Sequence, residues 1–269
     1  MTDLNALIED YRHRGYPSFL AVSTACQDLL IAKIASSPLS QNVTLKGGVL
    51  MHLMSGSRRR ATLDFDMDFM RYPLTEEAID RFIEVISDSG DTIFIRRVGV
   101  FEELSQQDYR GKRVSIVISD GIRSVTTKLD IGVQADLDIK QEELFFDVSG
   151  QEESISLLAN SKEQVFGEKL VSLLKWGVAS TRYKDIHDLY YLGHRPDFSR
   201  NQLEEYLEKW VYTNNAAWLP MTDAGGIGEA LSAILSNDFY KRRFASSGDK
   251  WLDISDDEAI TWLVGFFEK

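Results

Sequence analysis

Asp64, Asp66 and Asp68 alternate with Phe65, Met67 and Phe69, shortly after the pair Gly47-Gly48 and the run Arg58-Arg59-Arg60. In an extended strand, side chains point alternately to opposite faces, so carboxylates at i and i+2 share a face roughly 7 Å apart. Like charges at that spacing repel. A divalent cation held by two or three carboxylate oxygens turns the repulsion into binding, and magnesium suits such a set. A solvated acidic strand face would produce the same alternation, so Asp-x-Asp alone does not separate the two.

A second strand pattern adds to it. From Ser124 to Gln134, Val125, Thr127, Leu129, Ile131 and Val133 form one face, while Thr126, Lys128, Asp130 and Gln134 form the other. If this strand pairs with the first, Asp130 completes a three-carboxylate set. That is the minimum frame for two-metal phosphoryl transfer.

Two later charges are out of place. On a helical wheel of residues 161–176, Lys169 lies within the apolar stripe of Val165, Phe166, Leu170, Leu173, Leu174 and Trp176, with Gln164, Glu168 and Lys175 opposite. In residues 183–192, Asp185 projects between Leu189 and Leu192, Asp188 lies at the stripe's edge and His187 faces solvent. A charge on a core-facing stripe must snorkel, pair or line a site. Two roles stay open: an ion pair that docks the helices, or a triphosphate-binding cation oriented by an acid.

The elements that position these residues follow from hydrophobic period. Strands are expected at 61–69, 113–119 and 124–134, with a less regular one at 92–100. Helices are expected at 3–14 and 18–36, with a short one after Gly48. Another is capped by Thr75, with Glu76 and Glu77 at its positive end. Past residue 155 the pattern turns helical. Ser161 and Ser255 each begin a capping box, Gly177 closes the first of these helices, and 183–192, 200–213 and 226–245 complete the set. The expected fold class is α+β: a mixed-sheet domain over residues 1–155 and a helical domain over 156–269.

Composition excludes several classes. At 269 residues, with 43% apolar and 27% charged residues, a core forms without staples. One cysteine, Cys26, rules out an intrachain disulfide. With four histidines and no cysteine partner there is no zinc signature. Neither a Ser-His-Asp nucleophile elbow nor a Walker-type glycine loop is present. The charged N-terminus lacks a signal peptide's apolar segment, and no run approaches the ~18 apolar residues of a membrane span, so a cytoplasmic, membrane-free setting is expected. The net charge of −12 argues against broad nucleic-acid coating and leaves room for a local basic site. Tyr240-Lys241-Arg242-Arg243-Phe244 is one candidate for RNA contact, and an amphipathic helix end is the plainer alternative.

The ordered set Leu45-Lys46-Gly47-Gly48, Arg60-Ala61-Thr62-Leu63-Asp64-Phe65-Asp66, Lys128-Leu129-Asp130-Ile131, Glu168-Lys169-Leu170 and Arg182 to Leu189 resembles the AbiEii/AbiGii toxin family. These are nucleotidyltransferase-like proteins of the polymerase β superfold, including MenT-type toxins of toxin–antitoxin systems. The resemblance implies a nucleotidyltransferase mixed sheet flanked by helices and followed by a helical C-terminal domain. It makes Asp64 and Asp66 the metal pair and sets Gly47 and Gly48 before a helix that abuts the nucleotide phosphates. It also makes Lys169 and Asp185 essential residues of the helical part. Val49 stands where many relatives carry a hydroxyl residue, so that role either falls to Ser57 or Thr62 or is absent. The implied reaction transfers NMP from an NTP to an acceptor hydroxyl, with two Mg2+ at Asp64, Asp66 and Asp130. Asp130 handles the acceptor, while Lys46, Arg60 and Lys169 bind the triphosphate. A tRNA 3′ end is the expected acceptor, and a cognate antitoxin the expected partner. The alternatives are a protein hydroxyl as acceptor, an Asp-x-Asp glycosyltransferase, or a non-catalytic interaction protein.

Overall fold

The computed structural model describes residues 3–88, 92–104, 111–134, 138–213 and 221–268. The alternating runs become a seven-stranded sheet: β1 (Val43–Leu45), β2 (Phe65–Phe69), β3 (Phe94–Leu104), β4 (Gly111–Ser119), β5 (Ser124–Val133), β6 (Glu142–Phe146) and β7 (Ile155–Ala159). Their order is β3-β4-β5-β2-β1-β7-β6. The β2–β5 and β1–β7 pairs are parallel and the others antiparallel. The fold is α+β with a mixed sheet, and β1, β6 and β7 are too short or irregular to show in the hydrophobic period. The chain divides into units 1–160 and 161–269. The expected boundary at 155 falls at the start of β7, which belongs to the sheet.

One sheet face is apolar: Phe65, Met67, Phe69, Val114, Ile116, Ile118, Leu129 and Ile131 are all buried. The unit also contains α1 (Leu4–His13), α2 (Ser18–Ser36), α3 (Gly47–Ser55) and α4 (Glu76–Ser87). Thr75 caps α4 as expected, its hydroxyl accepting from the Ala78 N–H at 3.2 Å. By length and composition α2 could cross a membrane, but 67% of its apolar window is buried inside the protein. It is buried nearly all round, which is why it shows no polar stripe. Cys26 lies in its core, where burial pushes the thiol up to about 12.

The second unit holds α5 (Lys162–Trp176), α6 (Lys184–Gly193), α7 (Arg200–Leu207), α8 (Ala224–Ser236), α9 (Asp238–Ser246) and α10 (Asp256–Phe267). Ser161 and Ser255 cap α5 and α10, accepting from the Gln164 and Glu258 N–H groups at 3.1 Å each. Several expectations need correction. The helix expected over 226–245 breaks at Asn237, whose extended backbone and side chain start α9 instead. The helix expected to 213 ends at Leu207 and continues as a π turn over Glu208–Tyr212. His187 is fully buried beside Phe244, and Gln164 is buried too, because helices pack on more than one side of α5 and α6. Trp176, placed in the apolar stripe by the wheel, is 45% exposed at the helix end. Tyr240 and Phe244 are core residues packed on Tyr183, so this segment is the amphipathic helix and offers no aromatic face to RNA.

One buried acid ties the N-terminal helices together. Asp28 of α2 accepts from the Tyr11 hydroxyl of α1 and, at 2.7 Å, from the Ser149 N–H. Burial pushes its carboxyl up to about 6 from an ordinary 3.8, and the two hydrogen bonds only partly offset this. The folded chain therefore holds this proton more tightly than the unfolded chain. The group's contribution to stability is largest below about pH 4 and is lost as pH rises through about 6. Over that window the loss is on the order of 3 kcal/mol. Urea unfolding at intervals from pH 4 to 6.5 should show this slope, and Asp28→Asn should flatten it. An unchanged slope in the variant would assign it to other groups.

Candidate functional site

The site is built where β1 turns into α3. Lys46 is the extended N-cap residue of α3, its N–H donating to the Asp66 carbonyl at 3.3 Å. Gly47 follows with φ +60°, and an added Cβ would lie 2.7 Å from Asp66 Cγ. The Gly48 N–H donates to Asp66 Oδ2 at 3.0 Å, and a Cβ at this position would meet Thr62 Oγ1 at 2.9 Å. Both glycines are thus required by close approach, one to Asp66 and one to Thr62. The Asp66 carboxylate rests against the positive end of α3.

Asp66 is also the centre of a row across the sheet. It lies opposite Asp130 in the parallel β2–β5 pair, Asp130 opposite Arg113 in β5–β4, and Arg113 opposite Glu102 in β4–β3. Directly opposite residues share a face. The expected strand pairing therefore exists and brings Asp66 and Asp130 together. Arg113 was not singled out from the sequence, although its place on the polar parity of β4, with Ser115, could have found it. Its Nε and Nη2 each donate to one oxygen of Asp130 at 2.7 Å, and Nη2 lies 3.9 Å from Asp64 Oδ1. The bonds to Asp130, then the nearby Asp64 and Glu102, raise the Arg113 pKa against the effect of burial.

The first aspartate is placed differently from the expectation. The strand expected from Ala61 begins only at Phe65, because Arg58–Arg60 form a 3-10 turn. Asp64 lies just ahead of the β2 ladder. Two polar residues of α2 hold this approach: Ser23 Oγ donates to the Leu63 carbonyl at 2.9 Å, and Gln27 Nε2 to the carbonyls of Thr62 and Asp64 at 3.0 and 3.3 Å. Asp68, expected either on a solvated face or in a supporting role, is not on a solvated face. It is buried and pairs with Lys46 Nζ at 2.5 Å. Arg58 and Arg59 are exposed, whereas Arg60 is buried. The Ser57 carbonyl accepts from Nδ1 of buried His52 at 3.0 Å, and burial lowers the His52 pKa despite that bond.

Among the described residues no three His, Cys, Asp or Glu side chains already converge as a metal cage. The donor chemistry nevertheless fits a hard cation. Magnesium keeps several waters and is held by one or two carboxylates plus substrate phosphates, so no all-protein cage is needed. Asp66 keeps some solvent-accessible surface, yet dense surroundings push its carboxyl above the ordinary range. The charges of Asp130 and Asp64 add to that push, while the Gly48 N–H and Lys46 oppose it. A cation here relieves a repulsion the fold has built in.

In the helical unit, Lys169 and Asp185 are both buried and paired at 2.6 Å. Lys169 Nζ also lies 2.8 Å from Asp188, and Arg182 Nε 2.9 Å from Asp185. Asp188 accepts from Trp251 Nε1 at 2.9 Å, a partner the sequence did not reveal. The two aspartates thus pair one lysine and draw on an arginine and an indole.

A family model described as nucleotidyl transferase AbiEii toxin, type IV TA system, matches residues 28–245. No curated protein matches the chain. Among solved structures, JHP933 from Helicobacter pylori is 14% identical, with 94% of this chain and 92% of that one covered and a TM-score of 0.46. An antigenic nucleotidyltransferase-like protein from Paracoccidioides brasiliensis is 17% identical, with 88% and 97% covered and a TM-score of 0.43. At such scores these likenesses add nothing to the family match.

Three substitutions test the geometry. Gly47→Ala combines left-handed backbone strain of about 1–2 kcal/mol with displacement of Asp66. Gly56→Ala has a similar φ of +61° and open space around it, so it carries the strain alone. Gly47→Ala should destabilise the protein clearly more in urea melts, and equal losses would mean that the contact with Asp66 is not tight. Lys169→Met leaves two buried carboxylates without their lysine and should cost about 3–5 kcal/mol. Unchanged stability would contradict the pairing.

Proposed function

The chain belongs to the AbiEii nucleotidyl transferase toxin family of type IV toxin–antitoxin systems, and on that premise we propose that it transfers a nucleoside monophosphate from an NTP to an RNA hydroxyl. The observation that supports this most is the register of Asp66 opposite Asp130, with Asp66 against the glycine turn of α3. Asp64 and Asp66 would hold magnesium, which neutralises developing charge on the phosphates. Gly47 and Gly48 let Asp66 and Thr62 pack against the start of α3, whose helix dipole would favour the nucleotide's phosphates. Lys46 adds positive charge there and Arg60 a planar donor, while Ser57 and Thr62 supply hydroxyls. Asp130 accepts a hydrogen bond from the acceptor hydroxyl and orients it. The acceptor oxygen would attack the α-phosphorus as its proton passes to Asp130 or to solvent, and the bond from the α-phosphorus to the bridging oxygen of the β-phosphate breaks, releasing pyrophosphate.

For Lys169 and Asp185 we keep the role the resemblance implies, a cation for the triphosphate oriented by an acid. Their ion cluster is the competing role. If Lys169→Met loses transfer per folded molecule, the first is favoured, and if it keeps transfer, Lys169 is a counter-ion. The sheet unit is the proposed nucleotidyltransferase domain, the acceptor is proposed to be tRNA, and a cognate antitoxin is the proposed partner in the cytoplasm.

Incubation with magnesium, each labelled NTP in turn, and total tRNA or cell protein tests the reading. Label should enter RNA with at least one nucleotide, vanish with EDTA, and fall at least a hundredfold in Asp66→Ala. Label in protein would replace the acceptor, and no label with any nucleotide would overturn the proposal.

A further inference from the structure

Arg113, on β4, stands beside Asp130 and near Asp64, one of the two proposed metal ligands. Its guanidinium forks onto both oxygens of Asp130 at 2.7 Å, and Nη2 lies 3.9 Å from Asp64. Asp130 is buried and the arginine side chain is only 27% exposed, so solvent screens this charge incompletely. The register of β4 on β5 sets the arginine's position, and a bidentate fork fixes the plane of the carboxylate it grips. Both oxygens of Asp130 are therefore already committed to a cation.

We propose that Arg113 is a positioning residue which keeps Asp130 out of the metal shell and lowers the site's own affinity for divalent cations, so that firm metal binding needs the NTP's phosphates. This inference rests on the metal role given to Asp64 and Asp66. A fixed positive charge a few ångströms from a cation site opposes the cation, while the triphosphate brings new oxygen ligands and enough negative charge to overcome that opposition. Asp130, held by its fork, remains available to orient the acceptor hydroxyl. The site would thereby load metal and nucleotide together, with little metal bound alone.

Mn2+ titration of the full chain, followed by the electron paramagnetic resonance signal of free Mn2+, with and without a non-hydrolysable NTP, reads this directly. Wild-type protein should bind Mn2+ weakly alone and much more tightly with the NTP analogue. Arg113→Gln should tighten binding without nucleotide on the order of tenfold and shrink the nucleotide's effect. Arg113→Met, which keeps the aliphatic stem, carries the same expectation if the glutamine variant does not fold. Arg113→Lys keeps the charge but loses the fork on Asp130, so its Mn2+ affinity should fall between those of wild type and Arg113→Gln. Unchanged or weaker Mn2+ binding in a folded Arg113→Gln or Arg113→Met would overturn the inference while leaving the metal site standing. A wild-type protein that binds no Mn2+ even with the NTP analogue would overturn the metal site itself.

Discussion

A carboxylate set opposite another carboxylate on one sheet face favours a cation, and the sheet unit is arranged around that need at Asp66. Parallel pairing of β2 with β5 sets Asp130 opposite it, and the approach to β2 leaves Asp64 nearby. The fold opposes the repulsion with the Gly48 N–H, the positive end of α3, Lys46 on Asp68, and Arg113 on Asp130. These contributions are partial, since the Asp66 carboxyl still sits above the ordinary acid range. A divalent cation is the charge that completes the balance.

The surrounding packing serves the same point. Gly47 and Gly48 lack side chains because Asp66 and Thr62 occupy the places a Cβ would need. Ser23 and Gln27 of α2 replace the missing ladder bonds of residues 62–64. Substituting them would remove no ligand but would loosen Asp64. The helical unit treats its own buried charge in a similar way, by surrounding Lys169 with two aspartates that have partners of their own. Such clusters add little net stability over apolar packing, yet losing one member is costly.

Much of this was legible in the chain because period and charge disagree at few places. The acidic alternation at Asp66, the lone acid Asp130 on a polar face, and Lys169 and Asp185 on apolar stripes all marked positions that the fold buries or pairs. The alternation misled at its ends, where Asp64 precedes the strand and Asp68 is buried under Lys46. A wheel drawn for one helix cannot know how many neighbours surround it, which is why His187 was placed in solvent. Arg113 escaped because an arginine on a polar strand face is ordinary until the strand beside it is known. β1, β6 and β7 span three to five residues, too few for a period to show.

The central claim is that Asp64 and Asp66 hold the catalytic cation beside an Asp130 kept for the acceptor. Crystals grown with Mn2+ and a non-hydrolysable NTP, measured at a wavelength where manganese scatters anomalously, test it most directly. The account predicts an anomalous peak within about 2.0–2.4 Å of carboxylate oxygens from both Asp64 and Asp66, with phosphate oxygens completing its shell. A peak ligated by other side chains, or a bound triphosphate with no metal at these two aspartates, would contradict it.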